Sequence, residues 1–260
     1  MSASALDLSI LAPAFLAGLL VTATHVPLGR QVLARGIVFI DLAIAQIAGC
    51  GVLLADRLGF EPEGIAVQIA ALAAALGGAL LLTWTEKVWP EVQEAVIGVV
   101  FVLAATAGVL LLASNVHGSE HLRDLLVGQI LWAQPSRLAW TALLYAAILA
   151  LWFGARERLG RSGFYVLFAL AVTASVQLVG LYLVFATLIV PPLATRAMHR
   201  WRLASAWAIG ATGYAVGLAL STAFDLPSGP VVVWVLVALA LGAYAATRAA
   251  GREARASEPA

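Results

Sequence analysis

Charge is scarce in this sequence. Only 11% of its 260 residues are charged, against about 25% in a soluble domain. That deficit excludes an ordinary cytosolic protein, and the apolar excess excludes a disordered one. Basic and acidic residues nearly balance, 15 against 14, for a net charge of +1. No strong overall field exists to draw nucleic acid. Cysteine is limited to Cys50, inside an apolar run, which excludes an internal disulfide and a CxxC metal or redox pair. No Lys or Arg precedes Arg30, so the apolar start lacks the basic region of a secretory signal. The phosphate-loop pattern GxxxxGKS/T is missing, which excludes ATP binding of that kind. HExxH and GxSxG are missing too, and this counts against an intramembrane protease or lipase.

Hydrophobic residues, by contrast, make up 62%, and mean hydropathy is +0.97. The expected fold is all-α, a polytopic transmembrane helical bundle, because helices of about 20 residues satisfy their own backbone in lipid. Nine spans are expected, near 8–27, 37–55, 64–84, 94–113, 137–154, 163–179, 181–198, 204–224 and 229–247. Residues 163–198 are the hardest to divide. As one helix they would extend about 54 Å, against a hydrocarbon core of about 30 Å. A break at Gly180 gives two shorter spans instead.

Basic residues orient the bundle. With the N-terminus outside, Arg30, Arg35, Lys87, Arg156, Arg158, Arg161, Arg196, Arg200, Arg202, Arg248, Arg252 and Arg255 fall inside. Arg57, Arg123 and Arg137 fall outside, giving 12 against 3. Merging the sixth and seventh spans would leave 6 inside against 9 outside. The count favours nine spans, N-out and C-in. Residues 1–248 would form the transmembrane domain, and 249–260 a short cytoplasmic tail.

Few polar groups fall within the spans. Asp41 lies just inside the second, and an intramembrane carboxylate is a functional candidate by default. It would either line a translocation path or sit near the interface, paired with Arg35 or capping a broken helix. Gln46 follows five residues later, off the Asp41 stripe, and suits an interhelical hydrogen bond. In the external segment, His117, Glu120, His121 and Asp124 would share one face of a helix. Imidazoles and carboxylates suit zinc, manganese or iron, while a solvated polar face is the plainer alternative. Glu94, in the first turn of the fourth span, complements the helix dipole. His25 and Pro27 are expected to end the first span. Near the cytoplasm, Pro191 and Pro192 interrupt an apolar helix. A basic turn follows with Arg196, His199, Arg200, Trp201 and Arg202. It would be either a plain interfacial anchor or a short helix that docks on a partner.

Several stretches in order match a known pattern: Pro27-Leu28-Gly29-Arg30, Arg35-Gly36, Glu94-Ala95-Val96-Ile97-Gly98, and Asp124 through Leu131. Val179 through Arg196 is the most specific of them, and Asp225 through Pro230 precedes the last span. Over nearly its whole length the chain resembles the ABC-3 family, the membrane subunits of zinc, manganese and iron ABC importers. It is more distantly similar to iron-siderophore and vitamin B12 permeases. The resemblance implies a type II ABC importer-like permease that works as a homodimer in the bacterial inner membrane. It implies two cytoplasmic ATPase subunits, an extracytoplasmic metal-binding protein, and a coupling helix around Pro192 to Arg202. The permease itself would hydrolyse nothing and hold no permanent cofactor, and Zn2+, with Mn2+ or Fe2+ as alternatives, would be its cargo.

Two positions depart from the family. Many members carry a histidine four residues after the aspartate, where this chain has Ala45. The loop at Arg156 to Arg161 also looks shorter than usual. Two other readings remain open. One is a chelate permease of the same architecture, usually a longer chain with one more span. The other is a stand-alone secondary transporter or intramembrane enzyme, although inverted halves are not evident.

Overall fold

The computed structural model describes residues 8–61, 64–112, 130–132, 134–198 and 200–256. Among them the chain is helical, with no strand. The helices are α1 (Leu8–Arg35), α2 (Ile40–Arg57), α3 (Ile65–Val88) and α4 (Gln93–Leu112). Then come α5 (Pro135–Ala155) and α6 (Arg158–Val179), α7 (Leu181–Ala194), α8 (Arg202–Phe224) and α9 (Ser228–Ala256).

Seven of these are long and apolar enough to cross a membrane. The two that fall short are α2 and α7. Helix α2 carries Asp41, Asp56 and Arg57 in 18 residues. Helix α7 has 14 residues, which extend about 21 Å.

Two sequence expectations meet the structure here. The break at Gly180 is present, with φ +81° and ψ 161°, a conformation that only glycine adopts without strain. The end of the first helix was misplaced. His25 and Pro27 lie inside α1, which runs on to Arg35. A proline removes one amide from the helical ladder, but a helix packed on all sides tolerates it. The actual stop is Gly36, at φ +70°. The Ile37 amide bonds back to the Val32 carbonyl at 3.3 Å, which closes a glycine C-cap of the Schellman type.

Helices α1 and α7 pack together at the centre, with α8 and α9 on one flank and α2, α3 and α4 on the other. Among the seven long helices α6 is the most enclosed, with 67% of its most apolar stretch buried, against 17% for α4 and α9. The outer helices show bare apolar side chains such as Leu103, Leu110 and Trp234, the surface expected of a bundle solvated by lipid. Small residues bring the backbones close. A Cβ on Gly213 or Gly217 in α8 would strike Leu236 or Val232 in α9, the contact that small-xxx-small spacing permits in membranes.

Candidate functional site

The glycine turn after α1 leads directly into the Asp41 site. Asp41 is in the first turn of α2 and fully buried. Its own backbone N–H and that of Leu42 face the carboxylate, yet among the described residues neither oxygen completes a hydrogen bond. Buried polar atoms are nearly always paired, so two unpaired oxygens on one ionisable group need an explanation. Arg35 does not supply a partner. Its guanidinium lies 4.0 Å from Glu86 and 4.4 Å above the Phe164 ring, a cation–π position. Glu94 opens α4 beside the site. Its Oε1 accepts a hydrogen bond from the Phe39 amide at 3.2 Å, and its charge acts on Asp41. Glu94 therefore pins the start of α2 and places a second carboxylate near the first.

The other expected residues are distributed unevenly. Gln46 is half-buried, while Ala45 and Ala48 are buried on the Asp41 face of α2. No imidazole takes the family position, because Ala45 has no donor atom. His117, Glu120, His121, Asp124 and His199 lie outside the described residues. Among the described residues no group of three or more His, Cys, Asp or Glu side chains could hold a metal ion.

The proline segment meets α1 at an unusually short distance. Pro192 has no N–H, so the Leu188 carbonyl four residues earlier loses its helical donor. Gly29 of α1 packs against that carbonyl: a Cβ at Gly29 would lie 1.8 Å from the Leu188 oxygen. Only glycine lets the backbones approach so closely. Two of the sequence stretches singled out above are thus one physical joint. Beyond it, 195–197 form a turn and 198 is irregular. The Thr195 hydroxyl donates to the Pro191 carbonyl at 3.1 Å and closes the helix end. Arg196 and Arg200 are exposed, and Arg202 is half-buried.

A buried polar network was not foreseen. His25 is fully buried. Its Nδ1 lies 3.0 Å from the Val21 carbonyl oxygen, and its Nε2 lies 3.0 Å from Ser175 Oγ. A carbonyl at Nδ1 requires a proton there, so Nε2 is the acceptor for the Ser175 hydroxyl. Tyr145 donates to the Ala171 carbonyl at 3.1 Å and its ring lies 6.3 Å from that of His25. The network joins α1, α5 and α6. The only sequence signal was a histidine, a serine and a tyrosine inside apolar runs, which are costly unless paired.

With this geometry established, comparison with known proteins places the chain. The profile of the ABC 3 transport family matches residues 7–161 and 154–247. An uncharacterized membrane protein of Synechocystis sp. (strain ATCC 27184 / PCC 6803 / Kazusa) is 27% identical over 254 residues, covering 89% of this chain and 88% of that protein. Among solved structures, PsaBC from Streptococcus pneumoniae in complex with Fab superimposes with a TM-score of 0.74 at 22% identity. The match covers 94% of this chain and 95% of that one. A proposed metal-chelate type ABC transporter in an inward-facing conformation gives a TM-score of 0.67 at 15% identity, covering 88% and 83%.

Proposed function

The chain belongs to the ABC 3 transport family, and on that premise we propose that it is the permease subunit of an ATP-driven importer for a divalent transition metal. Zinc is the first candidate, on the strength of the two histidines in the external segment, with manganese and iron next. In this reading all nine of the described helices cross or enter the bilayer, N-out and C-in, in the bacterial inner membrane, as the 12-to-3 distribution of basic residues supports. Two copies would form the pathway, and an extracytoplasmic binding protein would deliver the cargo. Separate ATPase subunits would hydrolyse ATP on the cytoplasmic face.

The observation that carries the reading to residues is Asp41, a fully buried carboxylate with both oxygens unpaired. Such a group is expensive in lipid and is retained where it serves transport. A passing cation supplies the missing partner. Because Asp41 is enclosed in this conformation, the cation reaches it only when α2 shifts against its neighbours. The Gly29–Leu188 joint gives a route for that motion. ATPase closure would push the turn that carries exposed Arg196, the turn would move the end of α7, and the tight backbone contact would carry the displacement into α1. The chain from Arg35 through Gly36 then leads into the first turn of α2.

ATP-dependent uptake tests this directly. The chain is reconstituted in proteoliposomes with its genomically adjacent ATPase and binding protein, and zinc, manganese and iron are offered singly. Uptake of one metal that needs ATP and all three proteins is the expected result. A verified, ATP-hydrolysing complex that moves no free metal would transfer the assignment to a metal chelate, the class named for the second structural neighbour. Uptake without ATPase would overturn the reading.

A further inference from the structure

Helix α2 borrows its cap from α4. Its N-cap residue is Phe39, whose side chain makes no capping hydrogen bond, and its third helical residue is Leu42. In a capping box a glutamate at that third position reaches back to the N-cap amide. Here the glutamate comes from another helix. Glu94 Oε1 accepts from the Phe39 N–H at 3.2 Å, across 55 residues of sequence, and the Val38 backbone also faces this carboxylate. Capping uses one oxygen and leaves the other. Glu94 Oε2 is buried and, among the described residues, has no hydrogen-bond partner. Asp41 is fully buried, with both oxygens in the same condition, and the charge of Glu94 acts on it. The two carboxylates occupy the first turns of α2 and α4, which pack against each other. Arg35 is engaged by Glu86 and Phe164. Three buried acceptor oxygens therefore lack a donor, where buried acceptors are nearly always satisfied.

We propose that Glu94 is the second carboxylate ligand of the passing cation, which it meets together with Asp41. This rests on the reading above in which Asp41 meets the cargo. Charge explains why two carboxylates are needed. A buried charge is costly unless it is paired. A divalent ion beside Asp41 alone keeps a positive charge, and Glu94 neutralises it. A monovalent ion would leave the pair negatively charged, so two carboxylates favour the divalent state. Every donor in this pair is an oxygen, because Ala45 supplies none, and oxygen donors suit manganese, which makes Mn2+ a fitting probe. Phe39 links the pair to the drive. Its ring stacks on Phe185 of α7, with centroids 6.4 Å apart and planes within 4°. A displacement of α7 thus acts on the residue that Glu94 holds, and release of the Phe39 amide frees Oε1 for the cation as well.

Mn2+ binding to the purified full-length chain is followed by loss of the free-ion electron paramagnetic resonance signal. Wild type should bind Mn2+ saturably. Asp41→Asn and Glu94→Gln should each weaken binding by about 10–100-fold, the range for one charged partner. Glutamine keeps a carbonyl acceptor for the Phe39 amide, so Glu94→Gln preserves the cap and should melt with wild type. A residue that only capped α2 would leave binding unchanged in that variant. Glu91→Gln, exposed and three residues before Glu94, is the control and should bind as wild type does. If Glu94→Gln fails to fold, Glu94→Asp replaces it: the shorter arm should weaken binding, and wild-type affinity would overturn the proposal. No saturable binding in wild type, or wild-type affinity in folded Glu94→Gln, also overturns it. The measurement needs neither ATP nor partner proteins, so a negative result leaves the importer reading to the uptake assay.

Discussion

Replacing Gly29 with alanine adds a single methyl group at the tightest point between α1 and α7. That carbon would sit 1.8 Å from the Leu188 oxygen, 2.9 Å from its carbonyl carbon and 3.3 Å from Pro192 Cγ. Carbon and oxygen approach comfortably at about 3.3 Å, so the helices must part by about 1.5 Å. Both surfaces are backbone, and no flexible side chain can turn aside. Overpacking of this sort costs about 1–3 kcal/mol, and rigid partners put Gly29→Ala at the upper end. Alanine's better helix propensity returns about 1 kcal/mol, for a net loss of about 2 kcal/mol. At roughly 2–4 °C per kcal/mol for a chain of this size, the melting temperature should fall by about 4–8 °C. Thermal unfolding of the purified chain in detergent measures the shift. Gly77→Ala is the matched control, because its added carbon meets nothing within 4 Å; it should melt at or above wild type. A Gly29→Ala protein that melts with wild type would refute the close-approach argument. In the reconstituted importer the same variant should also lose uptake, since a widened joint no longer transmits the push from the proline turn.

Three further predictions follow from the site. Asp41→Asn should abolish metal uptake while the complex still assembles, and its melting temperature should hold or rise, because a buried ionisable group has been replaced by a neutral one of the same shape; normal uptake would take Asp41 out of the mechanism. Ser175→Ala leaves His25 Nε2 buried without a donor and should cost about 1–3 kcal/mol, read by thermal unfolding, with an unchanged melting temperature counting against the tautomer assigned here. Arg196→Glu and Arg200→Glu reverse exposed charges on the turn after α7 and should reduce co-purification of the ATPase, and unchanged recovery would count against this turn as the docking surface.

The sequence reading succeeded where one physical term dominates. Apolar runs marked nine spans, and seven of the corresponding helices are long and apolar enough to cross a membrane, because in hydrocarbon the backbone has few alternatives to the helix. Gly180 was legible as a break because no single helix of that length fits a bilayer. Asp41 was legible because a carboxylate in an apolar run is conspicuous. The end of α1 was misjudged: local propensity penalises Pro27, but packing on every side held the helix to Gly36. Pro191 and Pro192 were expected to interrupt their helix, but both lie inside α7, which runs on to Ala194 before the basic turn begins.

The amino-acid sequence alone settled the class of solvent this protein folds in, the helical character of its chain and its family, because burial in lipid and a set of ordered motifs depend on composition and spacing. Which groups meet was decided only by the tertiary structure. Gly29 and Leu188 are far apart in sequence, as are His25 and Ser175. Their contacts arise from the crossing of helices, and nothing in the local pattern of either partner encodes the other. The unpaired state of Asp41 belongs to the same category. Its position could be read from the chain, but the absence of a partner depends on where every other polar group was carried by the fold.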